Sequence, residues 1–331
     1  MLMNSPSLPL TIELVICTYN NATQLNHVLA AIAQQQVSET IEWGVLVVNN
    51  NCTDGTMALV EQAIAAGKIP HLRVVQETTQ GLTPARLCGV QNTTAQWIAF
   101  VDDDCVLKPN WVEQAVHFAA HHPDCGAFGG RVVLAWETPP PPFVLRYGYS
   151  FAEQEHGLQV QERDFLVGAG MVVNRQALIT CGWIKHQLMP DRIGTKLISG
   201  GDVELALRLR GTGYALCYTP ACELQHLIPP RRTSEAYLKS MNFSLGTCQM
   251  HADLMLWAGS FSGWIQAAVQ KTTQSSLQIL IQTLRAALGK VEAVDVAIQW
   301  SFVQGQWVGI IQLLQSDRDR QQALLGCAKV C

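Results

Sequence analysis

This sequence predicts an α/β fold: a mostly parallel, Rossmann-like sheet with helices on both faces, followed by a helical C-terminal region. Three observations carry that expectation. Short apolar runs alternate with segments of helical periodicity through the first 120 or so residues, the pattern of successive βαβ units. Those runs end in polar or acidic turns, most sharply where Trp97-Ile98-Ala99-Phe100-Val101 runs into Asp102-Asp103-Asp104. Beyond about residue 234 strand-like runs cease and apolar stripes at helical spacing take over.

The elements follow in order. Residues 13–17 read as a first strand, then the polar turn Thr18-Tyr19-Asn20-Asn21, then a helix whose core face is Leu25, Val28, Leu29 and Ile32. Residues 43–48 form a second strand that ends in Asn49-Asn50-Asn51-Cys52-Thr53-Asp54-Gly55, where Asp54 is placed to cap the next helix. That helix covers 57–66 and Gly67 closes it as a left-handed cap. A third strand spans 72–75 and a helix 84–90; the strand bearing the aspartates comes next, and Pro109 and Trp111 open a helix that ends near His121. In the less regular middle, 127–134 and 165–173 read as strands. Pro139-Pro140-Pro141-Pro142 is a rigid extended break and the expected loop over the site. Residues 182–199 read as a loop, with Trp183 packed, then 202–210 as a helix and 214–218 as a short strand.

Two stripes mark the tail: Trp257, Phe261, Trp264, Ile265 and Ala268, then Leu277, Leu280, Ile281, Leu284 and Leu288. Positions 246–331 hold six Lys/Arg and five Asp/Glu, so the tail is close to neutral and both stripes are expected to pack on the rest of the chain. Peripheral contact of these tryptophan-bearing helices with a membrane is the alternative. The expected division is a catalytic domain over 8–245 and a helical region over 246–331.

Composition narrows the function. At 48% hydrophobic and 15% charged the chain is globular rather than disordered, and a net charge of −4 argues against a nucleic-acid partner. Eleven scattered cysteines without a zinc-ligand rhythm fit reduced thiols in the cytoplasm. Met1 to Leu10 lacks a basic, apolar leader pattern, and no 18-residue apolar run occurs.

Three adjacent carboxylates repel one another and call for a counter-charge, most simply a divalent cation carrying phosphates. Carboxyl ends of parallel strands are where such sheets bind ligands, so Thr18–Asn20, the 49–54 turn and Asp102–Asp104 converge on one edge. Asp202 reads equally well as N3 of a capping box begun by Ser199 and as a functional carboxylate.

Four segments, running through residues 10–245, resemble the inverting family-2 glycosyltransferases of GT-A fold, and most nearly the bacterial enzymes of exopolysaccharide synthesis. They are Leu14-Val15-Ile16-Cys17-Thr18-Tyr19-Asn20; Val47-Val48-Asn49 through Thr56; Gly81-Leu82-Thr83-Pro84-Ala85-Arg86 with Phe100-Val101-Asp102-Asp103-Asp104; and Gly200-Gly201-Asp202-Val203-Glu204-Leu205 with His226 and Ile228-Pro229-Pro230-Arg231-Arg232-Thr233. The resemblance implies that Thr18 and Asn20 border a nucleobase, which Asn49 meets in place of the usual aspartate, with uracil favoured. It implies Arg86 on base or phosphate, Asp102 and Asp104 as ligands of Mg²⁺ or Mn²⁺, and Asp103 on the ribose or on metal waters. His226 would be a further ligand and Arg232 would face the diphosphate. Asp202 would be the base, although Gly201 stands where the family usually has a glutamate. The implied substrates are a nucleotide-sugar donor and a saccharide or lipid-linked acceptor, met in the cytoplasm or at the inner face of the membrane. Two other classes stay open: a sugar nucleotidyltransferase, disfavoured because the first turn lacks glycine and cation, and a non-catalytic saccharide-binding relative, which Asn49 and Gly201 favour.

Overall fold

The computed structural model describes residues 11–194 and 197–327. The first ten residues, read above as free of a leader, lie outside these, as do 8–10 of the expected catalytic domain, 195–196 of the 182–199 loop and 328–331 of the tail.

The first half alternates as expected: β1 (Ile12–Thr18), α1 (Ala22–Ile32), β2 (Trp43–Asn49), α2 (Thr56–Ala66), β3 (Arg73–Gln76), α3 (Leu82–Gln91) and β4 (Trp97–Phe100). After the aspartates come β5 (Cys105–Leu107), α4 (Trp111–His121), β6 (Cys125–Gly129) and β7 (Val132–Trp136), a 3-10 helix at Val144–Phe151, β8 (Gln161–Glu162), β9 (Met171–Asn174) and α5 (Arg175–Thr180). Then follow α6 (Gly201–Gly211), β10 (Ala215–Tyr218) and β11 (Leu224–Ile228), and the helices α7 (Glu235–Leu256), α8 (Phe261–Ala287), α9 (Ala293–Gln315) and α10 (Arg318–Leu324).

Eight strands form one sheet in the order β3-β2-β1-β4-β9-β6-β10-β8. β1, β2, β3 and β4 are mutually parallel, as are β6 and β10, but β9 runs antiparallel to both β4 and β6. β9 is reached from β6 through β7, the 3-10 helix and β8 rather than through a crossover α-helix. Two apolar layers cover the sheet, one built on Leu14, Ile16, Leu25, Val28, Trp97 and Trp111, the other on Val15, Leu46, Phe100, Trp183 and Leu205.

Two expected strands resolve differently. Residues 127–134 split at Gly130 into β6 in the main sheet and β7 in a second, three-stranded sheet of order β5-β11-β7. Of 165–173 only the end is β9; the stretch before it is irregular, with Gly170 at φ +71°. The four prolines line neither cleft described below. Their stretch leaves β7, and Glu137 is tied there to Ile228 and Gln24.

In the tail, α7 runs unbroken across position 245 and packs against α9. Backbones meet where side chains are absent: a Cβ on Gly246 would lie 2.0 Å from Phe302 O, and one on Gly305 1.9 Å from Phe243 O. The first apolar stripe packs as expected, with Trp264 and Ala268 buried in a cluster that also takes in Met189 and Leu207. The second does not. Leu277, Leu280, Ile281, Leu284 and Leu288 are 50–70% exposed, because the opposite face of α8, through Thr272 and Ile279, is the one turned inward. No helix among the described residues is long and apolar enough to cross a membrane.

Candidate active site

Parallel register brings the first two turns to one edge. Thr18 pairs with Asn49, and Val101 N–H reaches Val15 O, so both turns and the aspartates leave the sheet together. The small sheet adds the remaining partners. His226 on β11 lies opposite Cys105, and Leu227 N–H donates to Asp104 O (2.9 Å). A histidine more than a hundred positions away in the chain is thereby fixed beside the third aspartate.

Each aspartate has its own environment. Asp104 is buried, and its Oδ2 lies 3.0 Å from Arg232 Nη1 and 3.4 Å from His226 Nε2. Burial alone would raise its carboxyl, but His226 and Arg232 hold it well below the ordinary range. Asp103 accepts from Asn21 Nδ2 (2.7 Å); burial and the like charge of Asp104 push its carboxyl up to about 7. Asp102 is partly exposed and faces Arg86 Nη2 at 3.6 Å.

The donor set fits a hard divalent cation. His226 Nδ1 donates to Phe151 O (2.7 Å), since a carbonyl can only accept, so Nε2, the nitrogen toward Asp104, is the one left to give up its proton to an arriving cation and ligate it. Asp104, Cys105 and His226 form the one group of metal-capable side chains found among the described residues. Burial drives the Cys105 thiol far up, and a hard cation prefers oxygen and imidazole donors to sulfur, so Asp104 and His226 are the better ligands.

Two clefts adjoin at these residues. The first, of about 150 Å³, is lined by Thr18, Asn50, Asp102, Asp103, Asp104, Arg192 and Arg232. The second takes in Arg86, Asp191, Asp202, His226 and Tyr237, and shares Asp102, Arg192 and Arg232 with the first. Asp202 sits in the first turn of α6, not at N3 of a capping box. Gly200 is the N-cap residue, no side chain caps the helix, and Ser199 turns to Met241. Asp202 accepts from Gly168 N–H and Val203 N–H, both at 3.0 Å. Burial raises its carboxyl above the ordinary range, with Arg86 opposing and Asp191 adding to the rise.

Three other sequence-selected residues sit differently from their expected contacts. Asn49 donates to Gln76 Oε1 (2.7 Å) and accepts from Cys52 N–H (2.9 Å), so it braces its turn and does not line the first cleft. Asn20, at φ +51°, accepts from Thr53 N–H (2.7 Å) and lines an outer hollow with Asp103 and Arg231. Arg86 is buried under the second cleft, over the Phe100 ring (5.2 Å to the centroid), rather than lining the first. Asp54 accepts from Thr56 N–H (3.0 Å), but Gly55 is the N-cap residue of α2 and no side chain caps that helix, so the expected cap is not formed; Trp183 is packed. Sequence reasoning missed Asn50, Asp191, Arg192 and Tyr237. The last three stand outside any strand-end motif, and only the neighbourhood of Gly200-Gly201 could have hinted at a close-packed segment there.

The profile of glycosyl transferase family 2 matches residues 13–182, half of the chain and the whole of the β1–β9 framework. The chain belongs to this family. Relatives span both lipid-linked and polysaccharide chemistry in name. The Glucosyl-dolichyl phosphate glucuronosyltransferase of Haloferax volcanii is 24% identical over 183 residues, 54% of this chain and 58% of the relative, so the chain spans little more than half of that protein. The succinoglycan biosynthesis protein ExoM of Rhizobium meliloti is 24% identical over 254 residues, 76% and 77% of the two chains. Among solved structures, a mannosyltransferase from Pyrobaculum calidifontis, determined with GDP-Man and Mn²⁺, superposes with a TM-score of 0.60 at 16% identity, covering 93% of this chain and 89% of that one. That likeness is one of fold, and it extends through the C-terminal helices.

Proposed function

We propose that this family-2 member is a metal-dependent, inverting glycosyltransferase. It would move a sugar from a nucleoside-diphosphate donor, UDP-sugar favoured, onto a saccharide or lipid-linked acceptor in polysaccharide synthesis. The observation that carries the reading is the pair of adjoining clefts, one rich in acids and guanidinium groups, the other holding a half-buried carboxylate of raised basicity. A donor in the first cleft would put its anomeric carbon at the junction, with the acceptor entering by the second.

In this reading Asp202 takes the proton of the acceptor hydroxyl as that oxygen attacks the anomeric carbon. Attack opposite the departing nucleotide inverts the centre, so one base suffices. Arg192 and Arg232 border both clefts and meet the charge that grows on the diphosphate. A divalent cation, Mn²⁺ or Mg²⁺, held by Asp104 and His226 with Asp102 beside them, would neutralise the same phosphates. Asp103, bound by Asn21, is the candidate for the ribose or for metal-bound water.

The exposed stripe of α8 supports contact with an anionic bilayer at the cytoplasmic face, where a lipid-linked acceptor resides. The helix contains no acid; it carries Lys271 and Arg285, with Lys290 just after it. Nearby acids are engaged, Asp253 by Lys271 and Glu292 and Asp295 by Arg146. Apolar area rimmed by Arg285 and Lys290, which meet no carboxylate at ion-pair distance among the described residues, suits a lipid surface better than another neutral protein face.

The test is a panel of UDP-glucose, UDP-glucuronic acid, UDP-N-acetylglucosamine and GDP-mannose, each with Mn²⁺, read by thermal shift and by release of nucleoside diphosphate. One donor should stabilise the protein and be turned over. Asp202→Asn should bind that donor within about threefold of the native chain yet lose transfer by roughly a hundredfold or more. Equal transfer by Asp202→Asn would remove the base from this residue.

A further inference from the structure

The first turn of α6 is pressed by a segment from the preceding loop. A Cβ on Gly200 would lie 2.4 Å from Pro190 O, and one on Gly201 would lie 2.3 Å from Asp191 Oδ2 and 2.8 Å from its Cγ. The Asp191 carboxylate thus fills the volume that a side chain at 201 would enter. It is buried, and it is held there: Thr83 Oγ1 donates to its Oδ2 (2.8 Å), and the next carbonyl, Arg192 O, accepts from Leu82 N–H (2.9 Å). Both ties come from the start of α3, one turn before Arg86. Thr83 and Arg86 are three residues apart and so share a helix face.

Asp191 and Asp202 line one cleft. The buried guanidinium of Arg86 lines the same cleft and lies 3.6 Å from Asp102. Burial opposes the charge of Arg86, but Asp102, Asp191 and Asp202 together more than offset that and raise its pKa. One cation therefore answers three carboxylates, and how it is shared decides how freely Asp202 takes up a proton. Were Arg86 drawn wholly to Asp202, that carboxylate would be stabilised as the anion and made a weaker base.

We propose that Asp191 is a positioning residue. Lent by the loop in place of a side chain at 201, it brings a second carboxylate to the cleft that Arg86 and Asp202 share and holds the base at the acceptor side. The inference rests on the reading of Asp202 as the base. It also accounts for Gly201: the position is bare because a second carboxylate reaches the site from elsewhere in the chain.

The experiment uses the full chain, with the donor that the panel identifies. Asp191→Asn keeps an oxygen for the Thr83 bond but removes the charge, so a merely structural role would leave turnover intact. The expected result is a fall in kcat of roughly tenfold or more, with affinity for UDP and Mn²⁺ by calorimetry within about threefold. The second arm moves the carboxylate. Asp191→Gly and Gly201→Glu should each lower kcat, and the double variant Asp191→Gly/Gly201→Glu should recover most of the loss. A third arm reads melting temperature alone: Gly201→Glu should lower it in the native background and not in the Asp191→Gly background. Native kcat in Asp191→Asn would overturn the inference, as would a double variant that melts like the native chain and turns over no faster than Asp191→Gly. So would equal melting penalties for Gly201→Glu in the two backgrounds. Asp202→Asn, run beside them, separates the two ideas. If it is inactive while Asp191→Asn is fully active, only the role of Asp191 fails; if it is fully active, the assignment of the base fails.

Discussion

The carboxyl edge of the sheet and the outer face of α8 handle unfavourable surface in opposite ways. At the edge, each acid is answered from within the chain: Asp104 by Arg232 and His226, Asp103 by Asn21, Asp102 by Arg86. On α8, five large apolar side chains are answered by nothing among the described residues. The acids of the edge are already paired within the chain, so a cation that binds them must exchange with existing partners. The α8 face is unfinished within this chain, so whatever covers it adds burial outright. The first arrangement gives specificity; the second gives an attachment that is non-directional and proportional to area.

The largest expected effect breaks the edge at its most buried acid. Asp104→Ala removes the carboxylate shared by His226 and Arg232 and should weaken Mn²⁺-dependent nucleotide binding by about a hundredfold, near 2.7 kcal/mol. Calorimetry of UDP with and without Mn²⁺ checks it; an unchanged metal dependence would move the cation elsewhere. Next comes Arg86→Met, which fills the same space over Phe100 but leaves carboxylates without a cation. Removing one partner of a fully buried pair costs about 3–5 kcal/mol, and with Asp102 partly exposed about 2 kcal/mol is expected here. Urea unfolding measures it. A loss below about 1 kcal/mol would mean that Asp102, Asp191 and Asp202 do not depend on one guanidinium.

Much of this edge was legible in the sequence. The strand-turn-helix pattern from Leu14 to Asp104 is local: continuous apolar runs buried on both faces, period-3.6 helices and polar turns need no knowledge of distant contacts. What could not be read is what arrives from far away. Asn49 looks like a ligand because it ends a strand, yet its side chain is used up by Gln76 and Cys52 across the turn. Asp191 looks like an ordinary loop acid, and becomes a site residue only because α3 and α6 grip the loop on both sides. In the tail the periodicity of Leu277–Leu288 was visible, but periodicity gives a face and not its partner. Both faces of α8 carry apolar residues, and only the packing of α9 decides which of them is left outside.

The smallest effect on the folded chain comes from that face. Leu284→Glu and Leu288→Glu together replace two side chains that are 67% and 70% exposed, so stability should shift by no more than about 0.5 kcal/mol per site. Partition onto vesicles is another matter. Two leucines entering the acyl boundary contribute together about 2–3 kcal/mol, so the double variant should bind vesicles of phosphatidylglycerol and phosphatidylcholine roughly thirtyfold or more less tightly. Native binding should also weaken as salt rises, since Arg285 and Lys290 meet anionic headgroups across a screened distance. Co-sedimentation with the vesicles reads both effects. If the native chain ignores the vesicles, while sedimentation equilibrium shows a dimer that the double variant loses, the face belongs to a second copy. The contrast with the sheet edge would then survive with a different partner, since an apolar face with no ligand of its own would still have been completed from outside the chain.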